Sequence, residues 1–486
     1  MGSVPDEPRP PTPVALPTRD DPLAAASSEW LGGPAGERVA PGRSWWNPLR
    51  VSLAVACVVL ALGVLADAPC RAIGWADRSD ATLWTAQCYS DVPLLYRERG
   101  LSGGELVYLD SALEYPVLTG ALAQVSAWAA RAAQWVVDPD PGRGDPEVLA
   151  LAEGVRFYEV TALVMGVAAL VVVAATARTV RRRPWDGLLV AAAPVLLLTS
   201  TINWDLLPAA LTAVAVLAWT RERPALTGVL LGLGAAAKLY PALLLLPLLL
   251  VCLRDGQRRA ALTRWTVAAA SAAAAWAAVN LPVALLAPES WKLFWTFNAD
   301  RGAEFGSPWF ALDVVGRGVP ADSLGLVAAG TVLAGLLLVV ALAMLAPRPP
   351  RLVQLAFLTV AAFVLANKVW SPQYALWLLP LAVLARPRWR DLLIWQAAEA
   401  AHFVVVWLFI AGRVGATERL VTDAGYASVV ALRAVGLLWL VAVVVRDVLR
   451  PEHDPVRPYE DEVPEPHPVR EGAGAPAAVD DAGARA

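Results

Sequence analysis

Lysine is almost missing from this chain. Of its 40 basic residues, only Lys238, Lys292 and Lys368 are lysines. Histidine occurs three times, as His402, His453 and His467. Phosphatase or acyltransferase chemistry that leans on several histidines is therefore poorly supplied. The four cysteines fit no metal-ligand spacing, so no metal site is expected. The net charge of −3 says little, because charge is sorted by side rather than summed, and no nucleic-acid partner is expected. Polarity itself is scarce: 57% of residues are hydrophobic and the mean hydropathy is +0.52. An ordinary soluble protein is excluded, and repeated apolar stretches separated by arginines indicate a polytopic helical membrane protein.

The arginines set the topology, because they collect at cytoplasmic ends of spans. Clusters occur at Arg43 and Arg50, Arg178 to Arg183, Arg221 and Arg223, Arg254 to Arg264, Arg348 and Arg351, Arg386 to Arg390, and Arg446 and Arg450. From Arg183 onward each interval holds two apolar segments with a polar motif between them. The interval from Arg50 to Arg178 holds three. Its middle segment, Val117 to Val137, is Ala-rich and broken by Gln124, Arg131 and Gln134. We read it as an interfacial or re-entrant helix within a large outer loop, residues 67–154. This gives about twelve spans with both termini cytoplasmic; thirteen spans with one violated cluster is the alternative. Residues 1–44 and 448–486 read as disordered cytoplasmic tails flanking a transmembrane domain at 45–447.

Every motif of unusual composition then falls outside. Several spans are also short: Ala225 to Ala237 reaches only about 20 Å at 1.5 Å per residue. Asp205, Lys238 and Lys368 should sit sunk among helix ends, where polar groups persist only when paired or wet. A wet outer cavity beneath the first loop would satisfy them. Asp91, in Cys88-Tyr-Ser-Asp-Val-Pro-Leu-Leu-Tyr96, could accept a proton from a substrate hydroxyl there. Lys238, Lys368 and Arg301 suit a phosphate, whose charge grows as its bond breaks. Lys292 fits an interfacial anchor. Cys70 and Cys88 share the outer loop, as a disulfide or as two free thiols. Asp138-Pro-Asp140 has the form of a metal pair but lies in an acidic turn with no supporting ligands. Gly228 and Gly232 have the spacing of close helix packing. Glu399 and His402 share one face of a span, as a functional or a structural pair.

An Asp followed by Leu-Leu-Tyr96, then Glu114-Tyr-Pro116, Ala237-Lys-Leu-Tyr-Pro241 and Trp370-Ser-Pro-Gln-Tyr374 form an ordered set. It resembles the polyprenol-phosphate-mannose-dependent mannosyltransferases of glycosyltransferase family 87, from about Trp45 to Arg446. The resemblance implies the all-α GT-C architecture, with an extracytoplasmic active site under a large first loop. The family's catalytic Asp would map to Asp91 and its Lys-Leu-Tyr-Pro lysine to Lys238. One departure is Tyr115-Pro116-Val117 where the family has Tyr-Pro-Pro, which bears on the sugar and acceptor. The expectation is an inverting cell-membrane glycosyltransferase. It would move a hexose, mannose in the resemblance, from a polyprenyl-phosphate donor to a glycolipid or polysaccharide. Asp91 would be the base; Lys238, Lys368 and Arg301 would hold the phosphate. Tyr96, Glu114, Tyr115, Asp205, Tyr240, Trp370, Gln373 and Tyr374 would shape the sugar and acceptor pocket. The prenyl chain would lie among membrane lipid, and no separate cofactor is needed. A transporter or flippase of a lipid-linked sugar is the alternative, kept open by Glu399 and His402.

Overall fold

The structure is a computed structural model and describes residues 21–30, 46–137 and 146–458. The described residues form twenty α-helices and no strand. The chain begins with α1 (Pro22–Trp30) and α2 (Pro48–Ala66). The first loop carries three short helices, α3 (Ala68–Ile73), α4 (Ala81–Thr85) and α5 (Asp91–Glu98), and then α6 (Val117–Val137). After α7 (Pro146–Thr179) come α8 (Asp186–Ala191), α9 (Pro194–Thr199), α10 (Leu206–Thr220), α11 (Pro224–Ala237) and α12 (Leu245–Leu253). The long α13 (Arg258–Leu286) leads to α14 (Pro288–Asp300), α15 (Pro308–Val314), α16 (Ala321–Leu345) and α17 (Leu352–Ala366). The chain then forms α18 (Ala375–Ala385), α19 (Trp389–Arg413) and α20 (Asp423–Leu449).

Among the described residues, α2, α7, α13, α16, α19 and α20 are long and apolar enough to cross a membrane. The expected short segments are present at α10, α11 and α17, and α6 is not among the six. Proline sets several of the breaks. Pro194 opens α9, and Pro241 and Pro372 open the 3₁₀ turns that lead into α12 and α18. A proline lacks the N–H that a preceding helix would need, so each marks a fresh start. Every residue of α18 is buried, as expected of a helix apolar on all sides at the centre of a bundle. In contrast, α13 and α16 carry Leu285, Leu286, Leu337 and Leu338 outward, a lipid-like surface. The small-residue spacing on α11 does serve close packing. A Cβ on Gly228 would lie 2.0 Å from the Ala268 carbonyl, and one on Gly232 2.2 Å from that of Ala272.

Two stretches read as tails are not free. Asp21 accepts from the Trp389 amide at the start of α19, and α1 follows it. Beyond α20 the chain stays docked as far as residue 458. Asp454 is buried and accepts from Arg351 Nε at 2.7 Å and from Gln354 Nε2 at 3.0 Å. The physical reason lies in Arg351, which is itself buried and requires a carboxylate. The disordered-tail reading of residues 448–486 is therefore corrected for 448–458. The rest of both tails and Asp138-Pro-Asp140 lie outside the described residues.

Candidate active site

The first loop is a small folded unit. Cys70 and Cys88 form a disulfide, with Cα atoms 5.8 Å apart. The buried Trp75 indole donates to the Cys88 carbonyl at 2.9 Å and its ring lies 4.6 Å from Tyr158 of α7. These contacts deliver the next three residues, Tyr89-Ser90-Asp91, to the helix bundle. Ser90 caps α5 and its hydroxyl donates to the Thr201 carbonyl at 2.7 Å, while the Asp91 amide donates to Ile202 at 2.8 Å. Asp91 is thereby fixed at an inner edge of the loop.

Both carboxylate oxygens of Asp91 are engaged by phenols. Tyr89 donates to Oδ1 at 2.7 Å and Tyr115 donates to Oδ2 at 3.3 Å. Burial pushes the Asp91 carboxyl above the usual carboxylate range, although hydrogen bonding from Tyr89 and the positive charge of Lys238 oppose the shift. Tyr89 is held between Trp84 and Trp407, with ring centroids 5.1 and 5.0 Å away. Beside Asp91 opens a cavity of about 310 Å³, lined by Arg78, Asp91, Arg301, Glu304, Gln373 and Trp407 among others. Two guanidinium groups thus share a cavity with the carboxylates of Asp91 and Glu304. Arg78 pairs with Glu98 at 2.8 Å and reaches the Tyr89 hydroxyl at 3.3 Å; Arg301 pairs with Glu304 at 2.7 Å.

The site residues expected from sequence divide by location. Asp91, Arg301 and Gln373 line the cavity, and Tyr115 touches it through Asp91. Lys238 lies behind Tyr115. Its ammonium is 3.1 Å from the buried Asp205 and sits 5.0 Å from the Tyr115 ring centre and 5.8 Å from that of Tyr374. Tyr374 and Tyr240 both stack on Trp377, at 3.7 and 4.5 Å. The sunken lysine is therefore paired, as its depth required. Lys368 donates to the Ala299 carbonyl at 2.7 Å, joining the end of α14 to the segment after α17. Lys292 makes an exposed pair with Glu289 at 2.8 Å. Glu114 forms a two-pronged pair with Arg99, both contacts 2.7 Å, and Tyr96 stacks on Phe157 at 4.5 Å. Trp370 is fully buried against Arg433.

Residues 148–367 match the sequence model of glycosyltransferase family 87. No curated protein matches the chain. The match indicates a glycosyltransferase and agrees with the resemblance read from the motifs. It takes in Asp205, Lys238 and Arg301, and ends before the Trp370 to Tyr374 motif. The expected Glu399–His402 pair is corrected. Glu399 binds Arg433 at 2.7 Å and the Trp395 indole at 3.1 Å, whereas His402 lies 3.4 Å from the Tyr426 hydroxyl. A guanidinium from the facing helix reaches Glu399 and supplies the opposite charge that a buried carboxylate requires. Sequence reasoning missed Arg78 and Arg433. For Arg433 a signal existed: it is an arginine well inside the apolar α20. Arg78 sits in no motif, and its place beside Tyr89 follows only from the folded loop.

Proposed function

We propose that this glycosyltransferase is an inverting enzyme that transfers a hexose, mannose by the family resemblance, from a polyprenyl-phosphate donor to an acceptor hydroxyl outside the cytoplasm. The observation that carries this reading is one cavity lined by Asp91, Arg78 and Arg301. The acceptor oxygen attacks the anomeric carbon from the face opposite the phosphate. The bond from that carbon to the phosphate oxygen breaks, and its electron pair leaves with polyprenyl phosphate. The acceptor proton passes to Asp91. A carboxyl raised by burial is a better base than an exposed one, and its two phenol partners hold it in position. Arg301 and Arg78, which line the same cavity, would stabilise the charge that a departing phosphate gains and so favour the transition state over the ground state. Lys238 acts through Tyr115 in this scheme, and Lys368 fixes the segment that carries Gln373.

The topology goes with the reading. Taking α8 with α9 as one crossing, and each 3₁₀ turn with its following helix as one, the chain makes about twelve crossings, with α6 and α14 at the outer surface. The Cys70–Cys88 disulfide supports an oxidising side for the first loop. The loss of the Glu399–His402 pair removes the feature that favoured a transporter.

The test is transfer of radiolabelled mannose from polyprenyl-phosphate-mannose by membranes containing wild-type or Asp91→Asn protein. Transfer should fall by about a hundredfold or more without the base. Equal transfer by both proteins refutes the assignment of Asp91. Movement of the lipid-linked sugar across the bilayer without transfer points to a carrier instead.

A further inference from the structure

Arg433 is a buried, heavily bonded cation that does not line the cavity. It stands on α20 with no exposed surface, and all three guanidinium nitrogens are used. Nε donates to Glu399 at 2.7 Å, Nη1 to the Trp370 carbonyl at 2.7 Å, and Nη2 to the Ser371 carbonyl at 3.1 Å. Its plane lies 4.1 Å from the Trp370 ring centre. Arg433, Glu399 and Trp370 do not line the cavity, whereas Ser371 does. The carbonyls that Arg433 holds belong to the segment that delivers Ser371, Pro372 and Gln373 to the cavity wall.

Another part of the wall comes from the segment Arg301 to Ser307, which is tied to the chain just before Trp370 and to α20. The Glu304 amide donates to the Lys368 carbonyl at 2.9 Å. The Tyr426 hydroxyl, also on α20, donates to the Phe305 carbonyl. Gly306 is pressed into the junction. A Cβ there would lie 1.9 Å from the Trp370 carbonyl and 2.7 Å from Arg433 Nη1. The two wall segments therefore meet over one guanidinium, with Glu399 orienting it from α19.

We propose that Arg433, held by Glu399, is a positioning residue that sets the separation of the Arg301–Ser307 and Trp370–Tyr374 segments, and so the placement of the donor phosphate against Asp91. The part about the donor rests on the function proposed above; the part about the wall does not. A fork is needed for the task. One planar guanidinium can reach a carboxylate and two carbonyls at once, whereas an ammonium keeps the charge but loses that fixed geometry. Gly306 supplies the close approach that the junction requires.

The experiment uses full-length protein in lipid nanodiscs and four variants: Arg433→Met, Arg433→Lys, Gly306→Ala, and Arg433→Met combined with Glu399→Leu. Two readouts are taken. Amide hydrogen exchange at Glu304 and Tyr374 reports the wall without any substrate, and should quicken by about tenfold in all four variants. Mannose transfer should lose about a hundredfold in kcat, the scale of a misplacement of about 1 Å, with a smaller change in donor KM. The double variant removes both buried charges, so its melting temperature should recover towards wild type while exchange and kcat do not. Wild-type exchange in Arg433→Met, or wild-type kcat in the double variant, overturns the inference. A wild-type protein that exchanges as described but transfers no sugar overturns the functional reading alone.

Discussion

Replacing Lys238 by methionine separates two roles for that lysine. The ammonium is 3.1 Å from Asp205 Oδ1, and Asp205 is only 1% exposed with its Oδ2 lacking any partner. Unit charges at that distance attract by about 5 kcal/mol at an effective dielectric of about 20. Much of this offsets the cost of burying both ions. Removing one partner leaves the other stranded, and breaking such a pair costs about 3–5 kcal/mol. Lys238→Met should therefore lose stability on that scale, measured by denaturant unfolding of purified protein. Adding Asp205→Asn removes the stranded charge and should recover all but about 1 kcal/mol, the worth of a neutral hydrogen bond. Transfer should recover with stability, because Lys238 sits behind Tyr115 rather than in the cavity wall. A double variant that is stable but shows a large rise in donor KM would refute this argument and make Lys238 a phosphate ligand.

Two further predictions follow from named groups. The Asp91 carboxyl is raised by burial, so below its folded pKa it is protonated and cannot take a proton; kcat should fall as pH falls through that value, in a pH–rate profile. For stability the sign is opposite: burying the ionised form is unfavourable, so the penalty grows as pH rises, and Asp91→Asn at neutral pH should be inactive yet melt no lower than wild type. Truncation after Arg450 removes Asp454 and leaves Arg351 without that carboxylate. It should lower the melting temperature clearly in a thermal unfolding measurement.

The sequence was most legible where one physical rule acted alone. Hydropathy and arginine placement gave an all-helical chain with the short α10, α11 and α17. The reach of those helices foretold that Lys238 and Asp205 would need partners, and each became the other's. Of the residues expected at the site, Asp91, Arg301 and Gln373 line one cavity. Three-dimensional meetings between distant segments were not legible. Nothing local marks Arg78 as the neighbour of Tyr89, since the disulfide and the Trp75 contact bring them together. Glu399 was paired with the wrong residue because helical spacing shows companions on one helix only, and Arg433 arrives from another. Tyr96 and Glu114 sit within conspicuous motifs, but motif membership does not say which way a side chain faces, and here they meet Phe157 and Arg99.

The scarcity of lysine has a physical reading in the same contacts. Among the described residues four arginines are buried: Arg183, Arg351, Arg386 and Arg433. Each holds at least one carboxylate, and at least three of them hold something more. Arg351 adds the Leu384 and Ala385 carbonyls, Arg386 bridges Asp391 and Asp447, and Arg433 adds Trp370 and Ser371. These carbonyls lie at helix ends or in turns, where backbone oxygens lack a partner within the helix. A guanidinium can neutralise an acid and satisfy such an oxygen in one plane, while remaining charged at any pH the cell reaches. An ammonium has three donors and gives up its proton more readily when buried. Lys238 survives because its surroundings differ: one carboxylate, and aromatic faces that attract a compact charge without requiring directed hydrogen bonds. Lys238→Arg should accordingly be poorly tolerated although it conserves charge, because the larger fork would displace Tyr115 from Asp91.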